Sequence, residues 1–77
     1  MAINVTLLEA VCRKEYVIDK VETGDERMEA FLFSLGCYSG EPITVIRHLK
    51  GGIIVGIKNG RYSIDKRLGN TISVIDA

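Results

Sequence analysis

Histidine and proline occur once each among the 77 residues, cysteine twice, and tryptophan not at all. The lone imidazole, His48, has no second histidine and no carboxylate at ligand spacing, which argues against a histidine-built metal centre or catalytic pair. Alternation places it on the strand face opposite Val45 and Leu49, so a surface position is expected. Cys12 and Cys37 form no CxxC pair and have no histidine close by. That spacing excludes a disulfide framework and a zinc ribbon, and reduced thiols in a cytoplasmic protein are expected. Charge of one sign is also missing. Ten basic residues balance ten acidic ones, so no overall field points to nucleic acid or to an anionic membrane.

Long apolar runs are absent too. The run from Ile53 to Val55, continuing through Gly56 to Ile57, falls far short of the ~20 residues that cross a bilayer. The N-terminal stretch has no basic start, apolar run and small-residue cleavage site in series, so no signal peptide and no direct membrane insertion are expected. No GxxxxGK[ST] or GxGxxG leads from a strand into a helix, and Gly51, Gly52, Gly56 and Gly60 are read as turn and bulge residues. With no catalytic constellation, the chain is not expected to be an enzyme. The expected organisation is one domain over residues 1–77.

What the chain does contain is one clear helical pattern. In the segment Asp25–Gly40, DERMEAFLFSLGCYSG, the residues Met28, Phe31, Leu32 and Leu35 recur at i, i+3, i+4 and i+7. This spacing predicts one apolar stripe packed on a sheet. Thr23 or Asp25 can cap the start, and Asp25, Glu26 and Glu29 suit the positive end of the helix dipole, so they are read as capping rather than as a metal cluster. Gly36 marks the stop. Phe33 and Tyr38 fall off the core stripe and are candidate contact residues.

Around the helix the pattern is β. Thr6-Leu7-Leu8-Glu9 fits a capping box opening a short helical turn over about Leu7–Val11. Strands are expected at Tyr16–Val21, from Pro42 to Leu49, at Ile53–Lys58, at Arg61–Ile64 and at Thr71–Ile75. Asn59-Gly60 is expected as a two-residue hairpin turn, and Asp65–Gly69 as a 3₁₀ turn. Five short strands in so small a chain are expected to curl into a barrel, with the helix inserted between strands one and two. Arg47, Lys50, Lys58, Arg61, Lys66 and Arg67 gather in the C-terminal half. A small barrel binding nucleic acid through them is one alternative reading, though Tyr62 is the only aromatic interleaved as a stacking platform. A direct metal-binding regulatory module is the other; otherwise no cofactor is expected.

The segment Leu32-x-x-Leu35-Gly36-x-x-x-Gly40, followed by Ile43-x-Val45-Ile46, resembles the FeoA family of ferrous iron transport proteins. The likeness continues through Gly51-Gly52, the hairpin from Ile53 to Ile64 and Ile72-x-Val74, and so spans about Lys14 to Ile75. Phe31 and Ser39 stand where many members carry arginine and proline. The resemblance implies a mainly β, SH3-like five-stranded barrel with one helical insertion. It also implies a small non-enzymatic cytoplasmic partner of the FeoB-type membrane iron transporter. The same domain type is similar to the C-terminal module of iron-dependent repressors. The candidate partner-binding residues are Phe33, Gly36, Cys37, Tyr38, Ser39 and Gly40.

Overall fold

The computed structural model describes residues 4–77; residues 1–3 of the expected domain lie outside the described residues. Strand β1 is Val5–Thr6, and a 3₁₀ turn, Leu7–Glu9, follows it directly. The Glu9 carboxylate accepts from the Thr6 N–H at 3.0 Å and from the Thr6 hydroxyl at 3.3 Å, so the Thr-x-x-Glu spacing does fix this turn. The turn closes at Ala10, whose N–H reaches the Leu7 carbonyl, one residue short of the expected span. The chain then runs through β2 (Glu15–Val21), α1 (Glu26–Leu35), β3 (Pro42–Leu49), β4 (Gly52–Ile57), β5 (Gly60–Asp65), α2 (Lys66–Gly69) and β6 (Ile72–Asp76).

All six strands join one antiparallel sheet in the order β1-β6-β2-β3-β4-β5. Period-two alternation sends Tyr16, Ile18, Ile43, Val45, Ile53, Val55, Ile57, Ile64, Ile72 and Val74 to one buried side, where Leu7, Ala10, Leu32 and Cys37 complete the core. Each large aliphatic side chain buried in this way contributes about 1.5–3 kcal/mol. Register shifts between Ile18 and Lys20 and between Val45 and Arg47 bend β2 and β3. The second shift breaks the expected alternation, and Arg47 and Leu49 no longer follow Val45 into the core.

The expected five-stranded barrel is corrected in four respects. Val5–Thr6 pairs with Val74 and Ser73 as an additional strand, so α1 lies between the second and third strands. The sheet is not closed, since β5 and β1 are its two edges. Where closure would occur, α2 packs against the 3₁₀ turn, with the Leu8 side chain lying over Gly69. The segment after β5 is one α-helical turn rather than 3₁₀, with the Asp65 carboxylate accepting from the Leu68 N–H at 2.7 Å. Finally, the hairpin loop is Lys58–Asn59, one residue earlier than expected, because Gly60 pairs with Ile57.

Helix α1 departs most from its expected packing. Of the four stripe residues Leu32 is fully buried and Leu35 half-buried, but Met28 is 42% and Phe31 50% exposed. The helix is seated on the sheet by its C-terminal half. Its first turns stand off β5 and α2 across a groove of about 590 Å³ bordered by Thr23, Met28, Phe31, Ile64 and Leu68.

Candidate functional site

The helix start is built for capping, as the acidic residues there suggested. The Asp25 carboxylate accepts from the Arg27 N–H at 2.9 Å, and the Thr23 hydroxyl accepts from the Asp25 N–H at 3.1 Å. The helix end shapes the surface of interest. Gly36 takes φ 95°, its N–H reaching the Phe33 carbonyl, while the Cys37 N–H bonds to the Leu32 carbonyl at 2.8 Å. Four residues on, Gly40 takes φ 92° and donates to the Ile18 carbonyl at 2.8 Å, and the Ile18 N–H returns to the Glu41 carbonyl at 2.9 Å. The loop is therefore sewn to β2 at its far end. Left-handed backbone at both glycines is what lets so short a segment reverse twice.

Within this frame Phe33 and Tyr38 stack, ring centroids 4.7 Å apart and planes tilted by 33°. Phe33 is 65% exposed, the most open large apolar side chain among the described residues. Lys58 reaches across from the β4–β5 hairpin. Its Nζ lies 2.9 Å from Glu41 Oε1, 3.2 Å from the Tyr38 hydroxyl and 5.5 Å from the Tyr38 ring centroid. The Glu41 hydrogen bond, and after it that of Tyr38, raises the Lys58 pKa above its ordinary value. Lys58 holds φ 54°, unusual for a residue with a side chain. The lysine stem crosses directly over Gly36, where an added Cβ would come within 2.8 Å of Lys58 Cε. The Phe33–Tyr38 pair forms a ridge between two shallow depressions. One of about 520 Å³ is bordered by Leu35, Lys58 and Tyr62, the other of about 250 Å³ by Lys20, Glu29 and Ser39.

The six candidate residues thus divide. Phe33, Tyr38, Ser39 and Gly40 meet the surface, whereas Gly36 and Cys37 are buried. The Cys37 side chain is 2% exposed and belongs to the core, and burial pushes its thiol up to about 11. Lys58 and Glu41 join the site unannounced by local sequence. Nothing in local spacing links positions 41 and 58, and only the pairing of β3, β4 and β5 brings the hairpin tip over the helix exit. A hairpin cation and an acid directly after Gly40 were the signals available.

Elsewhere His48 is exposed, its Nε2 3.1 Å from the Ala10 carbonyl oxygen. Of the six gathered basic residues only Lys58 has an acidic partner within ion-pair distance among the described residues. Among those residues no group of three or more His, Cys, Asp or Glu side chains is placed to hold a metal ion. Among the described residues no helix is long and apolar enough to cross a membrane.

The architecture recurs in solved structures. The iron uptake regulatory protein FeoA superposes with a TM-score of 0.84 at 25% identity, covering 94% of this chain and 96% of that one. The iron(II) transport protein A of Clostridium thermocellum does so with 0.80 at 25% identity, over 91% of this chain and 44% of that one. A manganese-dependent transcriptional repressor reaches 0.87 at 16% identity, with all of this chain matched to 44% of the repressor, which is a likeness of fold alone. No curated protein sequence matches the chain. The FeoA domain model matches residues 5–76, nearly the whole sequence, and the chain belongs to the FeoA domain family.

Proposed function

We propose that this protein is a non-enzymatic accessory of ferrous iron uptake that docks on the cytoplasmic part of a FeoB-type iron transporter through the helix-exit ridge. The observation that carries this reading is the stacked, solvent-facing Phe33–Tyr38 pair, braced by Lys58 and Glu41 in a chain of the FeoA family. An exposed aromatic pair held in one geometry is costly to leave in water and gains on being covered. The seat of Tyr38 between two left-handed glycines, in a loop bonded to β2, also lowers the ordering cost of association.

Titration of the purified chain against the cytoplasmic region of a FeoB-type transporter tests the proposal. Binding is expected, weakened roughly tenfold or more by Phe33→Asp and by Tyr38→Asp. Phe33→Asp should leave thermal stability nearly unchanged because the side chain is already open to water. Absence of binding, or binding indifferent to both substitutions, would overturn it.

A further inference from the structure

The sheet has two edges, and they are not alike. β1 is two residues long, whereas β5 runs six residues with no proline. A strand edge of that length is normally blunted, since its unpaired amides invite another strand.

The hairpin geometry says which peptide groups are on offer. A two-residue loop makes Ile57 and Gly60 the closing pair that exchanges both hydrogen bonds. Alternation then gives the same role to Tyr62 with Val55 and Ile64 with Ile53, and turns the N–H and C=O of Arg61 and Ser63 outward. No backbone bond to another element takes up those groups among the described residues. The groove beside Ser63, Ile64 and Asp65 keeps α1 off this edge.

The strand is complementary to itself. Arg61-Tyr62-Ser63-Ile64-Asp65 laid antiparallel on a second copy, with Ser63 on the two-fold axis, sets Arg61 opposite Asp65 and Tyr62 opposite Ile64 in both directions. Arg61, Ser63 and Asp65 are exposed, while Tyr62 and Ile64 lie on the inner side. Arg61 has no acidic partner among the described residues. The Asp65 carboxylate caps α2 through Oδ1, which leaves Oδ2 to accept from the facing guanidinium. The exposed Met28 and Phe31 flank the same groove and would gain cover from the incoming strand.

We infer that β5 is a self-pairing edge through which two copies of this chain join antiparallel, strand to strand, into one continuous sheet. The contact centres on Ser63 and the groove bordered by Met28 and Phe31, and it adjoins the Phe33–Tyr38 ridge only through Gly60 and Tyr62, which also border the depression beside Tyr38.

Sedimentation velocity on the full chain over a concentration series tests this. A reversible dimer is expected. Because each change acts twice across a two-fold axis, Arg61→Asp and Ser63→Lys should each raise the dimer dissociation constant about tenfold or more. Both lie on the exposed face and should leave the circular dichroism spectrum unchanged. As a second readout, Ser63→Cys places two thiols on residues whose Cα atoms would be about 5.5 Å apart. Because the facing Cβ atoms of a hydrogen-bonded pair lie about 5.5 Å apart, beyond the reach of an unstrained disulfide, a short bis-maleimide rather than oxidation should then give a covalent dimer. A monomer at every concentration, a dimer insensitive to Arg61→Asp and Ser63→Lys, or a dimer that Ser63→Cys does not cross-link would each overturn the inference.

Discussion

Two neighbouring residues at the helix exit carry opposite demands. Gly36 favours no side chain, because its φ of 95° strains any other residue and an added Cβ would displace the Lys58 stem above it. Gly36→Ala is expected to cost about 1–3 kcal/mol from backbone strain alone and to push Lys58 away from Glu41, measurable as a shift in urea midpoint together with loss of the Phe33–Tyr38 ring contact in NMR spectra. Cys37, next along, is held protonated by burial. Its thiol titrates near 11 in the folded chain against an ordinary 9.0. Below pH 9 both folded and unfolded chains keep the proton and the residue adds no pH dependence. Between pH 9 and 11 the unfolded chain gives it up while the folded chain does not, so stability falls as pH rises and the loss levels off above 11. Thermal melts should show a steeper alkaline decline for the native sequence than for Cys37→Ala across that window. At neutral pH a thiol reagent should modify the half-buried Cys12 before Cys37.

At the scale of elements, α1 is anchored by a single fully buried side chain. Leu32→Ala is expected to destabilise the fold by about 2–5 kcal/mol, whereas Met28→Ser and Phe31→Ser, already open to water, should each cost less than about 1 kcal/mol; chemical denaturation of the three variants checks the contrast. The local sequence announced this helix, a cap at Thr23 or Asp25 and the Gly36 stop, and Asp25 is the cap, because caps and left-handed glycines are local chemistry. The apolar spacing could not say that Met28 and Phe31 would stay uncovered, since that depends on how far the sheet extends beneath the helix. Strands were legible for the same local reason, but the register shift after Val45 was not, and it turned Arg47 and Leu49 outward. The two-residue β1 was too short to show a period of its own, and it counts as a strand only because β6 lies beside it. Phe33 and Tyr38 stood out as candidates because they fall off the apolar stripe, and both reach the surface. Lys58 and Glu41 were not singled out because their meeting is a product of topology.

Taken whole, the molecule is a firm sheet carrying a lightly attached helix. The core lines β2 to β6, where the pairing of β3 with both β2 and β4 leaves no central strand without neighbours on each side. Helix α1 contributes Leu32 to that core, and the backbone at its end is fixed by the loop's hydrogen bonds to β2. Elements held by few buried contacts open without global unfolding, and their amides exchange through that local opening. Amides in the last turns of α1, from Ala30 to Leu35, should therefore exchange with solvent roughly 100-fold faster than those at the centre of β3 and β4. Hydrogen exchange followed by NMR measures both in one experiment, and equal protection in the two regions would show that the helix is bound to the sheet more tightly than its buried contacts imply. Because Phe33 rides on this helix while Tyr38 and Lys58 are tied to the sheet, the same experiment with Lys58→Met bears on the brace. Faster exchange at Phe33 and its neighbours, with β3 and β4 unchanged, is the outcome expected if Lys58 holds the ridge together.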